Sequence, residues 1–172
     1  MTRVEFTVLG RSQPGGSKRP VRAGGKPGGR ILLIEDARRS KPWRALVAAA
    51  AREAMAGHAP LIGPLLLEVD FYLARPAGHY GSGRNADRVR PAAPRYPAVR
   101  PDTTKLLRSL EDALTGSVWR DDAQVVTQVA RKRYGHPERA EVTVEVLTVT
   151  LADLDDRYAE LSDLSRLFAE ET

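Results

Sequence analysis

The 172-residue chain has no cysteine, only three histidines, and aromatic residues at 6%. Without cysteine there is no disulfide framework, thiolate zinc site, iron–sulfur cluster or thiol nucleophile. His58, His79 and His136 are scattered, so none shares the helical spacing of a zinc site. The longest apolar run, Ala45 to Ala51, falls far short of the ~20 residues of a membrane span. The amino terminus alternates charged and apolar residues from Arg3 to Leu9 and does not resemble a signal peptide. A cytoplasmic protein with no membrane partner is therefore expected. Nucleotide and serine chemistry are equally unsupported. Lys26 is followed by Pro27, which breaks the phosphate-loop pattern; Gly24, Gly25, Gly28 and Gly29 sit on no strand-to-helix turn; and there is no G-x-S-x-G elbow.

What the chain does have is charge, unevenly placed. Residues 1–150 carry 25 bases against 15 acids, a net of +10, whereas residues 151–172 carry 2 against 7, a net of −5. A basic body of this kind suits a polyanion, nucleic acid above all, although self-repulsion also serves solubility. With 42% apolar residues, the chain is long enough for one domain with a core of Leu, Val, Ile and Ala.

Periodicity gives the organisation. Arg3 to Leu9 reads as a strand with Val4, Phe6 and Val8 on one face. The glycine-rich, basic segment from Gly10 to Arg30 reads as a loop or mobile arm, and Ile31 to Ile34 as a second strand. Ser40 caps a helix from Lys41 to about Met55, with Trp43, Leu46, Val47 and Ala50 as its buried stripe. A third strand runs from Leu65 to Leu73. Ala74 to Pro101 then holds five prolines and six arginines against a single acid, Asp87, and reads as an irregular loop. Asp102 caps a helix ending at Leu114, with Leu106, Leu107, Leu110, Ala113 and Leu114 on one face and Gly116 after its end. Ala123 to Lys132 and Ala140 to Val149 read as an antiparallel hairpin turning through Gly135, His136 and Pro137. Leu151 to Phe168 reads as an acidic helix. The expected fold class is α/β (α+β): one domain over 1–150 with a mixed sheet packed by helices and basic loops at about 10–30 and 75–101, then the 151–172 helix.

The chemistry available is acidic. Asp102 opens the second helix and Asp121–Asp122 precedes the fourth strand, so a returning chain can set them side by side. Clustered carboxylates suit Mg²⁺, a hard cation that prefers oxygen ligands. Such an ion polarises a phosphate and generates hydroxide near neutral pH, while Lys105 and Arg108 supply positive charge. Each residue also has a plainer use. Asp102 can be a helix cap, Asp121–Asp122 a turn, and Arg108 with Asp112 an i,i+4 surface pair.

The run Arg100-Pro-Asp-Thr-Thr-Lys-Leu-Leu-Arg-Ser-Leu-Glu-Asp-Ala-Leu-Thr-Gly116, followed by Trp119-Arg-Asp-Asp-Ala-Gln-Val125, resembles the RusA family of Holliday junction resolvases. The family pattern is roughly P-D-x-D-N-x-x-K, then D-A-L-x-G, then D-D-x-Q-V. The likeness covers about residues 1–149 and is densest from Pro101 to Val125; the acidic helix looks like an addition. It implies a homodimeric endonuclease using Mg²⁺ (Mn²⁺ as a substitute) that cuts branched, four-way DNA by symmetric nicks. Asp102 and Asp122 fall on the family's first and last metal-binding aspartates, with Asp121 adjacent, and Arg108 on its catalytic lysine. Thr104 stands where the second metal-binding aspartate belongs and Lys105 where asparagine is usual. A lost carboxylate weakens Mg²⁺ binding unless Asp121, Asp112, Glu111 or Asp70 substitutes, though a threonine hydroxyl can itself ligate. Three readings are therefore open: an active resolvase, a junction-binding protein of the same fold with a degraded site, and an interaction protein that docks a partner through its acidic helix.

The basic residues expected on DNA are Arg11, Lys18, Arg19, Arg22, Arg75, Arg84, Arg88, Arg90, Arg100, Arg131 and Lys132. Those of the 75–101 loop, with Tyr80 and Tyr96 interleaved, suit phosphate contacts and stacking on unpaired bases. Replacing three of the loop arginines by alanine is expected to lower the slope of log binding constant against log salt by up to ~3 units, measured by titration at several salt concentrations. An unchanged slope would place binding elsewhere.

Overall fold

The computed structural model describes residues 1–15, 18–22, 31–35 and 40–148. Its principal elements are β1 (Arg3–Leu9), β2 (Lys18–Arg22), β3 (Ile31–Glu35), α1 (Ser40–Met55), β4 (Leu65–Leu73), α2 (Thr103–Leu114), β5 (Val125–Tyr134) and β6 (Arg139–Val146). The architecture is mixed α+β. A four-stranded sheet runs in the order β1-β6-β4-β5, and β2 and β3 form a separate antiparallel pair.

The centre of the sheet belongs to the most completely buried strand. Leu65, Leu67, Val69 and Phe71 of β4 are fully buried, and β4 pairs antiparallel with β6 on one side and parallel with β5 on the other. Cross-strand rows such as Val4–Val144–Leu67 and Val8–Ala140–Phe71 form the inner face. Against it pack Trp43, Val47, Ala51 and Met55 of α1 and Leu106, Leu107, Leu110 and Leu114 of α2. Period-two and period-3.6 patterns thus meet in one core. The outer face is polar and cross-linked: Arg131 pairs with Glu68, Arg133 with Asp70 at 2.9 Å, and Arg139 with Glu141 at 2.7 Å. Of the described residues, no helix is long and apolar enough to cross a membrane.

Four expectations are corrected. The hairpin of β5 with β6 does not form, because β4 lies between them. The Gly135–Glu138 connection instead passes over the end of β4, where the Gly135 amide donates to the Leu73 carbonyl at 3.0 Å. A side chain at Gly135 would lie 2.5 Å from Tyr72 Cδ1, so this crossing needs glycine. Second, the 10–30 segment contains a strand, β2, which gives Ile31–Glu35 its partner. Third, Leu46 is 53% exposed, and the buried stripe runs through Trp43, Val47, Ala51 and Met55. Fourth, residues 74–101 carry structure of their own: short 3₁₀ turns at Ala77–His79 and Gly83–Asn85, and a bridge between Tyr80 and Val89. The 151–172 helix lies outside the described residues.

The burial contrast predicts the mutational response. Leu110→Ala removes a fully buried side chain and should cost about 2–5 kcal/mol of unfolding free energy. Leu46→Ser should stay within about 0.5 kcal/mol. Denaturant unfolding of the two variants checks both.

Candidate active site

The 12 residues of α2 divide sharply into two arcs. Leu106, Leu107, Ser109, Leu110 and Leu114 are buried, whereas Thr104, Lys105, Arg108 and Asp112 are exposed and Glu111 is half-buried. Thr104, Arg108, Glu111 and Thr115 are spaced four, three and four apart, so they form a single line along the outer side of the helix.

At the start of that line, Asp102 occupies the N-cap position but makes no side-chain capping bond. Its Oδ2 lies 3.2 Å from Lys105 Nζ, and both side chains are about half exposed. The plain cap role is thus unused, and the carboxylate stays open to solvent. Pro101 is held from the other side, since Lys132 Nζ donates to the carbonyls of Val99 at 2.6 Å and Pro101 at 3.1 Å.

Asp122 is fixed at the opposite end. Gly116, at φ +81°, turns the chain after α2, and its amide donates to the Trp119 carbonyl at 2.7 Å. Trp119 is fully buried, and its indole Nε1 donates to Asp122 Oδ1 at 2.8 Å; Thr115 Oγ1 donates to the same oxygen. Gln124 completes the turn. Its amide oxygen accepts from the backbone of Arg120 and Asp121, and its Nε2 donates to the Leu61 carbonyl at 3.0 Å. Asp121 is spent on a capping box, accepting from the Ala123 amide at 2.8 Å.

The four candidates to replace the acid missing at Thr104 now separate. Asp121 caps a turn, Asp112 pairs with Arg44 at 3.1 Å, and Asp70 pairs with Arg133 on the far face of the sheet. Glu111 alone crowds Asp122. Burial first, then the charges of Asp122 and Asp112, push its carboxyl above the usual glutamate range. Arg108 has no acidic partner among the described residues; the alternative of an Arg108–Asp112 surface pair gives way to Arg44–Asp112, which ties α1 to α2.

The structure does not set Asp102 and Asp122 side by side within one protomer. They stand at the two ends of α2, about 18 Å apart at 1.5 Å per residue. Accordingly, no group of three acidic or histidine side chains placed to hold a metal occurs among the described residues. The donor chemistry fits Mg²⁺ at each end, with Asp102 and Thr104 at one and Glu111 and Asp122 at the other, but neither half set is complete.

Beside Asp102 lies a cleft of about 520 Å³ between α2 and the segment following β1, lined by Arg11, Ser12, Arg100 and Lys105 among others. The Gly15 amide, which donates to the Lys105 carbonyl at 2.8 Å, holds that segment against α2. Of the remaining basic residues, Arg84, Arg88 and Arg90 are exposed. Arg75 is pinned, with its guanidinium 4.2 Å over the Tyr134 ring. Lys132 is the strut already described, and Arg131 pairs with Glu68 on the outer face, away from Asp102. Lys18, Arg19 and Arg22 fall on β2, and their side chains lie outside what is described. The supporting residues Trp119 and Gln124 were present in the Trp119–Val125 run, but a search for charged ligands passes over an indole and an amide.

Glu111 carries a pH signature. With its folded-state pKa raised, the carboxyl keeps its proton in the folded chain over a range where the unfolded chain has lost it. The penalty is therefore fully present above the raised pKa and disappears as pH falls below the ordinary glutamate range. Glu111→Gln should raise the melting temperature at neutral pH in chelator and have no effect in that acid range, as thermal unfolding across pH will show.

The chain is similar to known proteins. The chain is 28% identical over 148 residues to the uncharacterized protein YqaN of Bacillus subtilis (strain 168), covering 82% of this chain and 94% of that one. The family model for endodeoxyribonuclease RusA matches residues 13–145, a span that contains Asp102, the whole exposed line of α2 and the Asp122 turn. The chain belongs to the RusA endodeoxyribonuclease family.

Proposed function

We propose that this protein is a Mg²⁺-dependent, structure-selective endonuclease that resolves four-way DNA junctions by paired symmetric nicks, in recombination, repair or phage DNA processing. The observation that carries the reading is the exposed line of α2: acids at both ends, Arg108 between them with no acidic partner among the described residues, and a basic cleft alongside. A strand drawn into the cleft by Arg11, Arg100 and Lys105 brings a phosphate to Asp102. Bound Mg²⁺ supplies polarisation of the phosphate and a water acidic enough to attack near neutral pH. Asp102 and Thr104 of one copy together with Asp122 and Glu111 of a second would hold the ion, and Arg108 would offset charge on the phosphate oxygens.

The half sets, about 18 Å apart along one helix, call for a second copy. In a two-fold dimer with the α2 helices antiparallel across the axis, each end of one helix meets the opposite end of the other. Two equivalent complete sites result, matched to the two equivalent scissile phosphates of a junction.

Purified protein should nick a labelled four-way junction with Mg²⁺ and leave it intact with chelator, and it should leave linear duplex intact in both. Asp122→Asn should abolish the cutting, and survival of activity in that variant would sink the assignment. A sharper arm mixes the inactive variants Asp102→Asn and Asp122→Asn. Shared sites predict that activity returns as single nicks, because each mixed dimer keeps one intact site; sites built within one protomer predict none. The alternative, a non-catalytic junction binder, draws on Thr104 and on the pairing of Asp102 with Lys105. It predicts junction binding without nicks, with cutting gained on Thr104→Asp.

A further inference from the structure

A second concavity, of about 190 Å³, lies at the carboxy-terminal end of β5, lined by Arg75, Tyr80, Tyr134, Gly135 and His136. Pockets for drug-sized ligands run to roughly 300–1,000 Å³, so this one has room for a single planar ring system. Its walls are set in advance. The Arg75 guanidinium stacks 4.2 Å over the Tyr134 ring and donates to the Pro94 carbonyl at 2.8 Å. The His79 ring meets Tyr134 edge to face, with centroids 5.6 Å apart. Tyr80 is held by its backbone amide, which donates to the Ala77 carbonyl at 3.0 Å, and by the bridge to Val89. Gly135, which tolerates no side chain against Tyr72, brings the backbone in close.

The position ties the pocket to the candidate active site. Lys132 and Tyr134 are two residues apart on β5 and share its inner face. Lys132 holds Val99 and Pro101, the residues leading into Asp102. Tyr134 lies about 7 Å further along the strand, two residues at ~3.3 Å each. That matches the rise of about two nucleotides along a duplex axis, at ~3.4 Å each. Exposed Arg84, Arg88 and Arg90 follow on the adjoining loop. Among the described residues no carboxylate lines the pocket; its polar side chains are a guanidinium, two phenols and an imidazole.

We propose that this pocket takes one unstacked base of the strand being nicked and sets which sequence is cut. Aromatic lining supplies stacking, which accepts any base. The surplus of donors favours bases that present acceptors on their edge, guanine O6 and N7 being the pair an arginine matches best. The inference rests on the junction-endonuclease reading and adds a sequence-reading element to it.

The test uses the full chain and a series of four-way junctions, each with one abasic position near the branch. Binding is measured in chelator and nicking with Mg²⁺. In the unaltered protein, a single position within about two nucleotides of the nick should lose about tenfold, the size of one base–aromatic stack. Tyr80→Ala should remove that sensitivity and spread the cut sites, while Tyr80→Phe keeps both. A flat abasic profile with cutting intact overturns the pocket and leaves the endonuclease reading standing. So does one profile shared by the unaltered protein, Tyr80→Ala and His136→Ala. Failure to bind any branched DNA overturns both.

Discussion

The parallel pairing of β4 with β5 is the constraint on which the rest depends. Parallel neighbours cannot be joined by a tight turn; the chain must leave one end of the sheet and return to the other. Here the return is α2, lying antiparallel to β5. Gln128 of β5 bonds Glu111 near one end of the helix, and Lys132 holds Pro101 at the other. A helix laid across a sheet in this way has two ends facing different directions, and the chain puts an acid at each. The separation of Asp102 from Asp122 therefore follows from strand order and not from local accident.

The same sheet sorts the positive charge. Neighbouring residues of a strand point to opposite faces, and β5 uses this at Arg131 and Lys132. Lys132 points to the helix side and anchors the segment entering α2, whereas Arg131 joins an ion-pair lattice on the outer face. Two adjacent basic residues that look interchangeable in composition thus do unrelated work. Among the described residues, the bases lining the cleft and Arg84, Arg88 and Arg90 stay exposed.

Much of the local structure was legible. Alternation marked β1 and β4 at their observed bounds, and capping and glycine signals placed α1 and α2. Pairing was less so. The turn residues Gly135 to Pro137 do turn the chain, but turn chemistry does not reveal that a more buried strand will occupy the gap between its two arms. Leu46 illustrates a second limit, since an apolar residue at the margin of a helical stripe can fall on either side of the burial boundary. In the site, the acids stood out by type, and Glu111 was one of four possible substitutes. What singled it out is distance to Asp122 through the Thr115 turn, which spacing along the chain does not carry.

The outer line of α2 has one more consequence. Thr104 and Arg108 touch none of the core, which is closed by the leucines on the other side of the helix. Exchanges at these positions therefore alter polarity and charge at almost no cost to folding, whereas Trp119, which orients Asp122, and Gln124, which holds the turn, are bound into the packing. The chemistry of this scaffold is free to drift while its framework is not. An exchange at position 104 or 108 is the kind of change such an arrangement absorbs, leaving the fold intact while the exposed line of the helix is altered.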